Sequence, residues 1–391
     1  MPTLETEPGE RPGELYVNMG PQHPSTHGVL RLLLRLEGEV IVECKPIMGY
    51  LHRGSEKLAE KRTYPQYVTL TDRDDYLCAM CNNQAYVQTV EKLMGIEAPE
   101  RAQYLRVIAM ELNRITSHLV WLGTFALDIG ALSVFLYCFR EREHTLRMFE
   151  ELCGARLTYS YMRLGGVGWD IPDDNWIKNV KDWLNGSGRF GTNSGGDAGH
   201  GGLPLLLEEV DRLLTGNQIF LYRTQGVGYL SPEDAVDLGT SGPMVRGSGI
   251  EFDIRRADPY AVYDRFEFDI PTRPEGDCFA RYIVRLQEMW QSRRILLQAL
   301  DQIPAGEIQT RVPKVVKPPA GEAISRVESP RGILGGYLVS DGKGLNPYRY
   351  HVRAPSFHNL KAMRKMALGW KVADTIAILG SIDIILGDVD R

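Results

Sequence analysis

Cysteine is scarce in this chain: there are six in 391 residues, Cys44, Cys78, Cys81, Cys138, Cys153 and Cys278. That is too few for a disulfide scaffold of this length and points to a reducing compartment. Positive charge is not in surplus. The 45 Lys and Arg stand against 50 Asp and Glu, a formal charge of -5, so no nucleic-acid partner is expected. No long apolar run is free of charge either. The longest, Leu122 to Phe139, carries Asp128 together with Gly123 and Gly130. A bilayer span rarely tolerates a central carboxylate, so this run is expected to be buried helix rather than a span. The opening stretch to Glu14 lacks a basic start and an apolar core, and is expected to be neither a secretory signal nor a transit peptide. Residues 1–13 are read as a mobile arm.

What is present begins with a stiff loop, Gly20-Pro-Gln-His-Pro-Ser-Thr-His-Gly28. Pro21 and Pro24 exclude helix interior and central strand, so His23 and His27 are not a helical metal-binding pair. The loop is either a plain proline-rich turn or one that holds an imidazole towards a ligand. It is flanked by β-rich runs, Glu14 to Met19 before it and Val29 to Leu36 after it. The second run pairs with Val40 to Cys44 through a glycine turn. Helical rhythm follows over 51–61, 75–94 and from Pro99, where Ala102, Leu105, Ile108, Leu112, Ile115, Leu119 and Leu122 form one stripe. Leu132 to Leu152 and Phe279 to Leu300 give two further long helices. Gln302 to Ala323 reads as an extended linker. Gly335 to Val339 and Tyr348 to Val352 read as a second hairpin, and a short helix over 372–379 precedes the last segment.

Several residues suggest chemistry without settling it. Cys78-Ala-Met-Cys81 is the only C-x-x-C, and with no second pair it is most simply two small helix residues near the core. Asp128 is an acid in an apolar context, which calls for a partner, a proton or a function. Tyr76 ends the charged run Thr71-Asp-Arg-Asp-Asp-Tyr76. Arg53 lies in Leu51-His-Arg-Gly54 at a loop-to-helix junction, free to serve an anion or to face water. Glu141-Arg-Glu143 reads as a solvated helix face. The glycine-rich segment 185–202 formally contains G-x-G-x-x-G, but a helical pattern precedes it and more glycine follows. A nucleotide site is not expected there, and His200 is read as solvated.

Taken together, Gly20 to Arg31, Gly49-Tyr-Leu-His-Arg-Gly54, Asp72-Arg-Asp-Asp-Tyr76, Leu127-Asp-Ile-Gly130, Arg163-Leu-Gly-Gly166, Ser241-Gly-Pro243, Arg353-Ala-Pro-Ser-Phe357 and Ile382 to Arg391 resemble one family. It is the 49-kDa (D) subunit family of respiratory complex I, the proton-pumping NADH:quinone oxidoreductase. The resemblance runs from about residue 14 to the last residue, with 185–202 standing out as an insertion.

The resemblance implies an α+β, mainly α fold, similar to the large subunit of nickel–iron hydrogenases. It is a central long-helix bundle with small antiparallel sheets near the N- and C-terminal ends. Residues 14–391 then form one domain: a β part over 14–50, the bundle over 51–301, and the linker, hairpin and C-terminal segment over 302–391. A hydrogenase needs four thiolates from two C-x-x-C pairs. Here Leu51-His-Arg-Gly54 stands in the first pair's place and no cysteine follows Cys278. The implied function is therefore reduction of quinone in a vacated metal cavity, coupled to proton translocation. A nickel–iron hydrogenase subunit and a purely structural scaffold are the alternatives.

The resemblance further places His27 and Tyr76 at the quinone headgroup, Asp128 beside His27, and Arg53 near a 4Fe–4S cluster held by a neighbouring subunit. No metal or cofactor is expected on this chain alone, and NAD(H) is used elsewhere in the complex. The implied partners are three other subunits of complex I: the cluster-bearing B subunit, the C subunit and the membrane-embedded H subunit. The implied location is the cytoplasmic side of a bacterial plasma membrane, as a peripheral subunit without turnover of its own. The family's usual histidine before its Tyr-x-Arg-x-Gly-Gly motif is Thr158 here, which implies a neighbouring cluster whose potential depends weakly on pH.

Overall fold

A computed structural model describes residues 5–8, 13–22, 28–190 and 201–391 of the chain. At the N-terminal end, β1 (Glu5–Pro8), β2 (Glu14–Met19), β3 (Arg31–Glu37) and β4 (Val40–Ile47) form an antiparallel sheet in that order. Strand β3 alternates as a half-buried strand should: Leu32, Leu34 and Leu36 are buried, and Arg31, Leu33 and Arg35 are less so. The buried leucines join Val17, Met19 and Ile41 against Leu360, Met363, Met366, Ile378 and Ile382, so one core binds the two ends of the chain together. Of the expected arm over 1–13, residues 1–4 and 9–12 lie outside the described residues, and one stretch departs from expectation. Glu5–Pro8 is a strand paired with β2, from Glu5 opposite Asn18 to Pro8 opposite Leu15, and it satisfies backbone groups that β2 would otherwise leave open at the sheet edge. The histidine loop connects β2 to β3, neighbours in the sheet, but residues 23–27, with His23 and His27, lie outside the described residues.

The bundle begins with α1 (Ser55–Ala59), α2 (Tyr64–Thr71), α3 (Ala79–Met94), α4 (Glu100–Asp128) and α5 (Leu132–Cys153). The helix expected over 51–61 is much shorter, because Gly54 enters it in the left-handed region at φ 65 and leaves 51–54 as loop. Helix α2 has no counterpart among the expected elements. It is started by Thr63, whose amide N–H donates to Gln66 Oε1 at 3.1 Å. The stripe on α4 is buried from Ala102 to Leu122, as its spacing predicts. The apolar run 122–139, however, is two helices. Gly130 at φ 99 breaks it, a conformation that costs a side-chain-bearing residue far more than glycine. Asp128 is therefore the last residue of α4, not a mid-helix acid. Glu141 departs from expectation in the opposite direction. It is fully buried, accepting from Trp183 Nε1 at 2.9 Å and from the amide of Gly202 at 2.8 Å, rather than lying on a solvated face.

A small hairpin, β5 (Met162–Arg163) and β6 (Gly166–Val167), follows. The glycine-rich segment starts where the helix Asp174–Asn185 ends, and residues 191–200, with His200, lie outside the described residues. A run of short helices leads to the long helix Cys278–Gln302, which packs across α4. The expected linker is extended, but it is pinned: Ile308 and Gly165 carbonyls accept from Val167 and Thr310 at 3.1 and 2.8 Å. A Cβ on Gly166 would lie 2.1 Å from the Ile308 oxygen, so only glycine lets the linker approach. The linker gives way to β7 (Gly321–Ser329), which pairs with β8 (Gly332–Ser340) and then β9 (Arg349–Arg353), so the expected hairpin is a three-stranded sheet. The fold is mainly α with small antiparallel sheets, in agreement with the expected class.

The interior carries an uncommon amount of charge. Glu111 on α4 accepts from Arg255 Nη1 at 3.1 Å, Tyr263 at 2.7 Å and Ser292 at 2.6 Å. Glu288 accepts from Arg246 Nε at 2.8 Å and meets His118 Nε2 at 3.0 Å. Such groups persist in a low-dielectric core only because each is paired and hydrogen-bonded.

Candidate functional site

The loop 49–54 is shaped by the other end of the chain. The amides of Gly49 and Leu51 donate to the two carboxylate oxygens of Asp390 at 2.9 and 2.7 Å. His52 Nδ1 lies 2.7 Å from the Asp390 carbonyl oxygen, which can only accept, so Nδ1 carries the proton. Gly387, in the turn before, packs so closely that a Cβ there would meet the Asp74 carbonyl oxygen at 2.5 Å. Close approach of these two segments puts Arg53 in place. Its Nη2 donates to the Arg73 carbonyl at 2.5 Å and lies 3.7 Å from Asp74 Oδ1, while the side chain stays partly open to solvent.

The run 72–76 is buried acid by acid until it reaches Tyr76. Asp72 accepts from the Ser160 amide at 2.8 Å, and burial pushes its carboxyl up to about 6. Asp74 accepts from Ser55 Oγ at 2.7 Å; burial pushes it up to about 7, with Ser55 and Arg53 opposing. Asp75 caps the start of α3, its Oδ1 accepting from the amides of Leu77 and Cys78 at 3.1 Å each. Tyr76 sits inside that capped turn and is 36% exposed, reaching out of the run with Arg73 while the three acids stay buried. Burial holds its phenol above the ordinary range and Asp75 adds to this, while Arg331 and Arg53 pull back.

Asp128 stands at the exposed end of α4, yet its carboxyl lies against the C-terminal helix Val372–Ile382. A Cβ on Gly380 would be 3.6 Å from Asp128 Oδ2, and burial pushes this carboxyl up to about 6. It has no hydrogen-bond or ion-pair partner among the described residues, and its expected partner His27 is not among them. The fold thus brings Arg53, Asp74 and Tyr76 into one cluster, and reaches Asp128 from the far end of the same C-terminal segment.

Sequence reasoning missed Arg331. It lies at the tip of the β7–β8 hairpin, Ser329-Pro-Arg-Gly332, and hairpin tips are normally solvated. Here the whole tip is buried. The arginine donates to Asp75 Oδ2 at 2.8 Å and to Asp383 Oδ1 at 3.2 Å. No residue in its vicinity announces this; only the lack of charge around it in 329–339 hints at burial.

A nickel–iron centre does not fit the donors present. Cys78 and Cys81 head α3 in the core, and burial drives the Cys78 thiol well above its ordinary range, opposite to what a thiolate ligand needs. Among the described residues no group of three or more His, Cys, Asp or Glu is arranged to hold a metal ion. No described helix is long and apolar enough to cross a membrane.

A helical body with a small sheet at each end carries a polar cluster where the loop 49–54 meets residues 387–391. Comparison with known proteins assigns its class, a subunit of an oxidoreductase complex. The family model described as respiratory-chain NADH dehydrogenase, 49 Kd subunit, matches residues 128–193, 200–320 and 310–391. The D subunit of the NADH-quinone oxidoreductase of Desulforamulus reducens is 52% identical over 388 residues, covering 99% of this chain and 100% of that protein. The D subunits of the same enzyme from Geobacillus thermodenitrificans and Dehalococcoides mccartyi are 51% and 53% identical, covering 97% and 96% of this chain and 99% and 98% of theirs. The chain belongs to the 49-kDa subunit family of the respiratory-chain NADH dehydrogenase.

Proposed function

We propose that this chain lines the quinone-reducing pocket of a proton-translocating NADH:quinone oxidoreductase. The observation that carries the reading is Tyr76: a partly exposed phenol at the end of a buried acidic run, in a capped turn beside Arg53. Quinone reduction adds two electrons and two protons, and charge develops on the quinone oxygens as electrons arrive. A phenol O–H and an imidazole N–H can each donate to such an oxygen and then release the proton to it. Tyr76 and His27 take these roles. Two O–H bonds form on the quinol, and water returns the protons to the two side chains.

Asp128 supports His27. A carboxylate beside an imidazole favours the protonated ring, and the ring's charge in turn draws the acid below its present value of about 6. Arg53 faces the side from which electrons arrive, where a fixed cation favours the reduced state of a cluster held by the neighbouring B subunit. The C subunit and the membrane-embedded H subunit complete the surroundings. The chain sits peripherally on the cytoplasmic side of a bacterial plasma membrane and has no turnover alone. The test is quinone reductase activity of membranes carrying Tyr76→Phe, with assembly followed on a native gel.

A further inference from the structure

The β7–β8 hairpin carries two charges into the interior, Glu328, which pairs with Arg246, and Arg331. Its tip is buried from Val327 to Gly332, and its backbone is locked from outside the sheet. Asn359 Nδ2 donates to the Arg331 carbonyl at 2.8 Å, and Asn359 Oδ1 accepts from the Ser241 amide at 3.0 Å. Gly332, at φ 126, has no space for a Cβ against Ser241 and Gly242. The Arg331 guanidinium is fully buried between two carboxylates from opposite ends of the sequence, Asp75 and Asp383.

Each of those acids in turn holds a piece of the proposed pocket. Asp75 fixes the turn that contains Tyr76 through its two amide contacts. Asp383 closes the helix Val372–Ile382 in the left-handed region, at φ 61. One turn earlier, Gly380 accepts from Trp121 Nε1 at 2.7 Å and lies against Asp128. Arg331 is thus the link between the Tyr76 turn and the segment that backs Asp128.

On the quinone-pocket reading, we propose that Arg331 is a positioning residue for quinone reduction, clamping Asp75 to Asp383 so that the Tyr76 hydroxyl is held for proton transfer and the phenolate left behind is stabilised. When Tyr76 gives its proton, its O–H bond breaks and a quinol O–H bond forms. The two electrons come from NADH through the complex, and negative charge stays on the phenol oxygen until water reprotonates it. A buried guanidinium at that moment offsets charge in a low-dielectric setting, where it acts strongly and needs no reorganisation. Arg331 already pulls the Tyr76 phenol downward against burial.

The experiment is a double-mutant cycle on the assembled complex in membranes, with NADH and a short-chain ubiquinone analogue. Arg331→Lys keeps the charge but cannot reach two carboxylates with a planar fork. It is expected to lower kcat on the order of tenfold with KM for quinone nearly unchanged. In the Tyr76→Phe background the same change is expected to have almost no further effect, because its route of action is gone. Where Arg331→Lys fails to assemble, Asp383→Asn, which removes the far anchor, runs the same cycle with the same expectation. Unchanged kcat, or a loss that multiplies in full with that of Tyr76→Phe, overturns the proposal and leaves the pocket reading standing. Wild-type activity in Tyr76→Phe alone instead overturns the pocket reading.

Discussion

The backbone N–H of Arg53 donates to the backbone oxygen of Arg391 at 2.8 Å, and one residue earlier in each segment His52 meets Asp390. The loop that carries Arg53 therefore has its shape only while residues 387–391 are docked. Asp390→Ala leaves the amides of Gly49 and Leu51 without their acceptors, at about 1–3 kcal/mol each. Heat inactivation of quinone reductase in membranes should begin at a clearly lower temperature in this variant. Asp390→Asn, which keeps one acceptor oxygen, should fall between. An unchanged inactivation curve for Asp390→Ala would mean that the contact holds nothing in place.

Glu111 tests the buried charge. Burial would raise this acid, but Arg114 and Arg255 outweigh it and hold it at about 2. Its stabilising effect is therefore present above the ordinary carboxylate range and lost only as pH falls through about 2. Glu111→Gln keeps shape and volume but leaves buried arginines uncompensated, a loss of about 3–5 kcal/mol. The native gel should show little or no assembled complex. Normal assembly would show that the arginines find other partners.

These two sites mark what the sequence could and could not disclose. The α4 stripe is legible because its apolar spacing and its burial are one fact. Tyr76 and Asp128 are legible as residues because motifs around them resemble a family, yet only Asp128's neighbours reveal that it ends a helix. Glu141 and Arg331 are not legible. A charged residue in a helix or a turn is most often solvated, and what buries each of these is a partner far away in the chain: Trp183 and Gly202 for one, Asp75 and Asp383 for the other. Strand β7 is hidden for a similar reason. Its first residues, with exposed Glu322, read as the end of the linker at Ala323, while Val327 and Glu328 lie inside.

Asp74 gives a pH prediction. Its folded carboxyl, at about 7, lies above the ordinary value of about 3.9 for the unfolded chain. The folded state therefore holds the proton longer, so Asp74 contributes stability at low pH that is lost as pH rises towards about 7. Asp74→Asn removes that loss while keeping an acceptor for Ser55. The variant should gain heat resistance over wild type at about pH 8 and much less at about pH 5. A gap independent of pH would refute the buried-acid assignment.

Thr158 offers no titrating group beside the proposed approach of electrons. The neighbour's cluster should then show a potential that varies by well under about 60 mV per pH unit, the full one-electron, one-proton slope. Thr158→His should steepen it. A full slope in the unaltered protein, read by redox titration, would contradict this.

The most direct test is Tyr76→Phe, which removes one hydroxyl and almost no volume. With assembly normal on a native gel, quinone reductase activity should fall by on the order of a hundredfold, as expected for loss of a proton-donating group. An assembled complex with wild-type activity would contradict the placement of quinone at Tyr76 and leave the chain a scaffold.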